Sequence, residues 1–173
     1  MSLAVTRLAT PGSMAHDNAA VAHEAADDGG GGHVGDADRR MAQGRSVPDA
    51  VERPFATGQL HEIRDFAAAF AVDHGATVRQ IDAFLLVASE LVVNAVRHGG
   101  GTGLIRLWHD DSSLWCQVAD HGPGLADMRW ADNATGPIGR GGRGLWIVRT
   151  VAETLTIQSG EAGTTATARI QAG

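Results

Sequence analysis

An α+β fold is what the 173-residue sequence predicts: a two-layer sandwich with a mixed, mostly antiparallel sheet and helices on one face. Three observations carry this expectation. Apolar spacing gives the order strand, helix, helix, two strands, long loop, helix, two strands. The later strands come in pairs joined by short turn sequences, as hairpins are. The regular strand-helix alternation of a parallel doubly wound sheet is missing.

Met1 to about Val47 is expected to be a disordered tail. It is rich in Ala, Gly, Asp and His, contains GGGG at Gly29 to Gly32, and has almost no large apolar residue beyond the first ten positions. Such a segment cannot bury enough surface to offset its ordering entropy. His16, His23 and His33 match no ligand spacing. The folded domain is expected over residues 48–173. Val51 to Thr57, VERPFAT, reads as an edge strand, where Pro54 is tolerated. Gln59 to Asp73 reads as a helix, with Leu60, Ile63, Phe66, Ala67 and Phe70 on one face and His74-Gly75 as its stop.

The central helix runs from an N-cap at Thr77 to His98 and stops at Gly99-Gly100-Gly101. Ile81, Leu85, Ala88, Leu91, Val92 and Ala95 recur at helical spacing. Glu90 and Asn94 interrupt the richest apolar part, on the same side and about one turn apart, and His98 lies one turn further. A buried carboxylate and carboxamide cost free energy unless something polar meets them. Leu104 to Trp108 and Leu114 to Val118 alternate as strands around the turn residues Asp110 to Ser113. Asp120 to Arg143 has no period and reads as a long functional loop. Leu145 to Glu153 is a third helix. Leu155 to Gln158 and Thr165 to Ile170, separated by GEAG, form the last hairpin.

Composition excludes several functions. The net charge of −6 and pI near 5.7 argue against a nucleic-acid-binding surface. All 14 basic residues are Arg, which codon bias also explains. Without Lys there is neither a Walker A phosphate loop nor Schiff-base chemistry. Cys116 is the only cysteine, so no internal disulfide and no multi-cysteine zinc site can form. Four Trp, four Phe and no Tyr point to an aliphatic core. No apolar run is long enough to cross a membrane, and that of MSLAVTRLATPGSM is too short for a signal-peptide core. A soluble cytoplasmic protein is the default expectation.

Three constellations carry chemistry. Glu90-x-x-x-Asn94 is the first; two solvent-facing helix residues are the plainer alternative. Asp120-x-Gly122-x-Gly124 ends an apolar strand. A strand-end carboxylate can accept a hydrogen bond from an exocyclic amine, and the glycines let a flat ring approach; the plainer alternative is a tight turn. The third is Gly139-Arg140-Gly141-Gly142-Arg143-Gly144, running into a helix. Amides at a helix start attract anions, and Arg140 and Arg143 suit phosphate. This run also fits the dinucleotide pattern G-x-G-x-x-G, although that motif should directly follow a strand. A flexible linker is the third reading.

Taken together and in this order, ELVVNAVRHG, DHGPG and GRGGRGL resemble the N box and two glycine boxes of the GHKL ATP-binding superfamily, which has the Bergerat fold. Within it the chain is most similar to the small anti-sigma-factor serine/threonine kinases of bacteria. The resemblance covers roughly Val51 to Gln171. It implies ATP and Mg²⁺ as cofactors, with Asn94 coordinating the ion and Glu90 acting as general base on a water or substrate hydroxyl. It implies that Asp120 binds the adenine amino group, with Gly122 and Gly124 shaping the base pocket and Thr165, or else Thr164, beside it. Gly139, Gly141, Gly142, Arg143, Gly144 and Leu145 would hold phosphates, with Arg97 and His98 near that end. Leu125 to Ile138 would form a lid. Trp130 in that lid and Trp146 beyond it read as a partner surface or as core. The implied partners are an antagonist protein and a sigma factor, and dimers are common in the resembling family. The upstream phosphoacceptor-His helix pair of sensor histidine kinases is missing, and the N-terminal tail has no counterpart in the pattern. Two rival functions stand beside this one: a non-catalytic partner-capture module of the same fold, and a dinucleotide-binding oxidoreductase.

Overall fold

The computed structural model describes residues 49–110, 113–125 and 143–171. The expectations for the tail, for Gly139, Arg140, Gly141 and Gly142, for Trp130 and for most of the lid fall outside the described residues. The elements run β1 (Val51–Ala56), α1 (Leu60–Asp73), α2 (Val78–His98), β2 (Thr102–Asp110), β3 (Ser113–Asp120), α3 (Arg143–Val151), β4 (Thr154–Gly160) and β5 (Gly163–Gln171). The strands form one sheet in the order β1-β2-β3-β5-β4, and every neighbouring pair is antiparallel. The α+β class therefore holds, with no parallel pair among the described strands. β3 and β4, with α3 between them in sequence, run parallel but flank β5, so the described strands form no strand-helix-strand unit of adjacent parallel strands such as the dinucleotide reading requires.

Each helix forms for a local reason. α1 buries Ile63, Ala67, Phe70 and Ala71, one stripe of its surface. α2 opens with a capping box: the Thr77 side chain accepts from the Gln80 backbone N–H, and the Gln80 side chain accepts from that of Thr77 at 2.8 Å. Its buried stripe is Phe84, Val87, Ala88, Leu91, Val92 and Ala95. Ser89 is also buried, and its hydroxyl donates to Leu85 O while accepting from Arg64. Gly100 and Gly101, at φ of 88° and 85°, turn the chain from α2 into β2, a conformation that only glycine adopts freely. α3 starts two residues earlier than the apolar pattern indicates, so Arg143 and Gly144 form its first turn.

The core lies between the helices and one face of the sheet. Ile105 and Leu107 of β2, Leu114, Cys116 and Val118 of β3, Leu155 and Ile157 of β4, and Ala166, Ala168 and Ile170 of β5 pack there against the helical stripes. This is the aliphatic core the composition indicates. β1 lies at the sheet edge, as Pro54 requires. Among the described residues no helix is long and apolar enough to cross a membrane.

Cys116 is fully buried, and burial pushes its thiol from the usual 9.0 up to about 12. The native protein should therefore not react with a thiol-specific disulfide reagent at pH 8, whereas the denatured chain should react with one equivalent. The linkage sign follows from the raised value. Above pH 9 the unfolded thiol loses its proton first, so this group's contribution to stability falls as pH rises from 9 toward 12.

Candidate active site

Gly144 answers the question of what meets Glu90 and Asn94. A Cβ at Gly144 would lie 2.6 Å from Glu90 Oε2, and 3.2 and 3.3 Å from the amide nitrogen and oxygen of Asn94. Only a residue without a side chain lets the start of α3 come this close to α2. The first-turn N–H groups of α3 thus open beside a carboxylate and a carboxamide, and such groups attract anions. Arg143, in the same turn, is exposed. Leu145 is buried in the core and anchors the turn, so its own offer to a ligand is its backbone N–H.

The two polar side chains of α2 are held in reserve. Both are half-buried. Asn94 Nδ2 is buried with no hydrogen-bond partner among the described residues. The two ends of a carboxamide are interchangeable by rotation, so this position can present either a donor or its oxygen. An unmet buried amide costs about 1–3 kcal/mol, which a ligand group would recover.

A second cluster forms where β3 ends. Asp120 Oδ1 accepts from Gly122 N at 2.9 Å and from Thr164 N at 3.2 Å. These bonds fix the carboxylate and leave Oδ2 as its second acceptor. Gly99, the C-cap of α2, lies directly against this side chain; a Cβ there would overlap the Asp120 carboxyl carbon and sit 2.5 Å from Oδ2. Gly122 in turn packs on the α2 terminus, where a Cβ would come within 2.8 Å of Gly99 C and His98 O. Gly124, at φ 78°, lies against Gly160, the last residue of β4. Leu125 N donates to Ser159 Oγ at 2.8 Å, and Ser159 Oγ pairs with Thr164 Oγ1 at 2.9 Å.

Both clusters are therefore built on α2. Asn94 lies in the last two turns of α2 and Gly99 is its C-cap, about 7.5 Å further along the axis. Among the sequence-derived site residues, the structure brings together Glu90, Asn94 and Gly144 at one end, and Asp120, Gly122 and Gly124 at the other. Two further residues escaped the sequence reading: Gly99 looked like a helix stop only, and Ser159 lay unremarked beside a hairpin turn. Of the two threonines expected beside the adenine, the structure brings Thr164 to Asp120. Strand alternation puts Thr165, paired with Ala119, on the opposite sheet face, and Thr164 is the threonine that meets Asp120. Arg97 lines a cavity of about 230 Å³ with Ala56, Gly58, Leu60, Val92, Val93 and Val96, on the flank of α2 that faces the β1–α1 junction. His98 is exposed, and its carbonyl backs Gly122.

The donor set fits a nucleotide-bound divalent ion better than a protein-only metal site. No group of three His, Cys, Asp or Glu among the described residues is placed to hold a metal. An ion at Asn94 would take one protein amide and complete its shell with phosphate oxygens and water, the usual manner of Mg²⁺.

Gly122→Ala should destabilise the domain by about 1–3 kcal/mol, because the added methyl meets backbone rather than a movable side-chain tip. Denaturant midpoints of the two proteins check this, and an unchanged midpoint would show that the α2 terminus can retreat.

Residues 54–170 match the histidine kinase-like ATPase domain family. The fold is similar to that of a Mycobacterium tuberculosis structure of RsbU and RsbW domains, with 21% identity and a TM-score of 0.54 over 73% of this chain and 33% of that one. The chain thus spans about a third of that relative's length. A histidine kinase domain from a blue-light-activated histidine kinase of Erythrobacter litoralis aligns at 20% identity and a TM-score of 0.42, covering 76% of this chain and 72% of that one. The comparison with curated proteins found no match.

Proposed function

The chain belongs to the histidine kinase-like ATPase family, and on that premise we propose that it is a Mg²⁺-dependent protein serine/threonine kinase of the anti-sigma-factor type. Membership in the family carries ATP binding and chemistry of the kinase or ATPase kind. The residue roles, the hydroxyl-bearing protein substrate and the partner class are our reading. Its support is the meeting of Glu90, Asn94 and Gly144, together with the likeness of the three sequence boxes to those of the anti-sigma kinases.

Each residue has a task that its surroundings suit. Asp120, its Oδ1 occupied by two backbone amides, offers Oδ2 to the exocyclic amine of adenine. The first turn of α3, opened by Gly144, receives phosphate oxygens. Asn94 would hold a magnesium ion through its amide oxygen, and the ion would offset phosphate charge. Glu90, which makes no hydrogen bond or ion pair among the described residues, takes the proton of the attacking seryl or threonyl hydroxyl. The new bond joins that oxygen to the terminal phosphorus, and the bond to the bridging oxygen of ADP breaks. Catalysis of this kind is mostly positioning and electrostatics. A small antagonist protein would be the substrate and a sigma factor the sequestered partner, and the domain runs over residues 48–173 in this account.

Single-turnover transfer from γ-labelled ATP to the antagonist protein captured with this chain tests the proposal. Labelled serine or threonine is expected. ATP binding with no transfer to any captured protein would favour a capture module instead.

A further inference from the structure

One serine hydroxyl holds both pieces of chain that fix Asp120. The carboxylate is bound at Oδ1 by two backbone amides of separate origin: Gly122 N, in the turn that leaves β3, and Thr164 N, near the start of β5. Ser159 of β4 bonds to the same two pieces. Its Oγ accepts from Leu125 N at 2.8 Å and lies 2.9 Å from Thr164 Oγ1. A serine hydroxyl has the valence for both. One lone pair takes the amide, and its proton or second lone pair meets the threonine.

The strand register makes this arrangement possible. Ser159 pairs with Thr164, and two positions away Ile157 and Ala166 are buried in the core. Alternation therefore turns Ser159 and Thr164 to the helical face, which Asp120 shares with buried Val118. Close backbone packing completes the joint. A Cβ on Gly163, at φ 128°, would overlap Asp120 O. One on Gly124 would overlap Gly160 O and lie 3.1 Å from Ser159 Oγ. The exit of β3 and the end of the β4–β5 hairpin thus touch on both sides of the acid, and Ser159 is the side chain whose hydroxyl ties them.

We propose that Ser159 is a positioning residue that sets the preference for adenine. Its hydroxyl clips Leu125 to Thr164, which keeps Gly122 N and Thr164 N on Oδ1 of Asp120 and so fixes the direction of Oδ2. The proposal rests on the reading of Asp120 as the acid that meets the adenine amine, and Ser159 acts through that acid. Without the hydroxyl, Leu125 N and Thr164 Oγ1, both half-buried, lose this partner, and the carboxylate gains freedom to rotate. A base that offers an amine loses affinity by that freedom. Guanine has a carbonyl where adenine has its amine, so it draws nothing from a directed Oδ2. A phosphate chain, held at the start of α3, is indifferent to it.

Calorimetric titration of the full-length chain with ADP, GDP and inorganic triphosphate, each with Mg²⁺, tests the proposal. Ser159→Ala is expected to weaken ADP by about 3- to 10-fold, the worth of one hydrogen bond. Its affinity for GDP and for triphosphate should stay the same, so the preference for ADP over GDP narrows by that factor. Thr164→Val keeps its N–H on Asp120 and loses only the hydroxyl, and it should act on ADP in the same way. The double variant should lose little more than either single one, because both remove the same link. Unaltered ADP affinity in Ser159→Ala, beside a loss in Asp120→Asn, would overturn the proposal and leave the adenine reading intact. An equal loss for triphosphate would overturn it as well, since Ser159 would then merely support the fold. So would fully additive losses in the double variant. Unaltered ADP affinity in Asp120→Asn would show that the adenine reading itself has failed, and the role of Ser159 would fall with it.

Discussion

Glu90→Ala is expected to lower the rate of phosphoryl transfer by about 10²–10⁴-fold, the range a positioned general base supplies. ATP affinity should stay nearly unchanged. The structure makes this substitution unusually clean to read. Glu90 is half-buried and makes no hydrogen bond or ion pair among the described residues, so its removal strands no partner among them. The carboxylate lies where a Cβ on Gly144 would be, 2.6 Å from Oε2, and the truncation opens that space. Stability should therefore hold or rise slightly, and a fall in rate reports chemistry rather than unfolding. Glu90→Gln, of the same shape, should show the same loss because it cannot take the proton. Transfer at the wild-type rate in either variant would remove Glu90 from the mechanism.

Asp120→Asn should weaken ATP binding by about 100-fold, while the fold survives. The arithmetic rests on one charge-assisted hydrogen bond, worth about 1.5–3 kcal/mol. An asparagine can keep its oxygen on Gly122 N and Thr164 N, where Oδ1 now sits. It then turns an amide donor toward the exocyclic amine, donor against donor. Calorimetric titration of ATP gives the affinity, and a thermal scan gives the stability. Unaltered affinity would mean that the purine is read elsewhere.

Much of this site was legible in the sequence because its parts are local. The helical period across residues 78–98 leaves Glu90 and Asn94 as the exceptions on a buried surface, and that anomaly is visible without coordinates. The three glycine-bearing boxes are likewise short and contiguous. What escaped is non-local. Ser159 joins the site only because β4 and β5 pair in a particular register, and Gly99 only because β3 ends beside α2. Strand limits were also drawn too short. Gly103 and Asp120 have little strand propensity, yet the ladder carries them. Thr165 and Thr164 could not be ranked until the register fixed which of them faces the acid.

A shared pocket is the claim beneath all of this: the carboxamide of Asn94 and the carboxylate of Asp120 serve one nucleotide. The most direct measurement is ATP affinity with Mg²⁺ and with EDTA, for the wild type and for Asn94→Leu. The account predicts that Mg²⁺ tightens binding to the wild type, and that Asn94→Leu abolishes this gain while the EDTA affinity stays. No ATP binding by the wild type in either condition, or a full Mg²⁺ gain in Asn94→Leu, would contradict it.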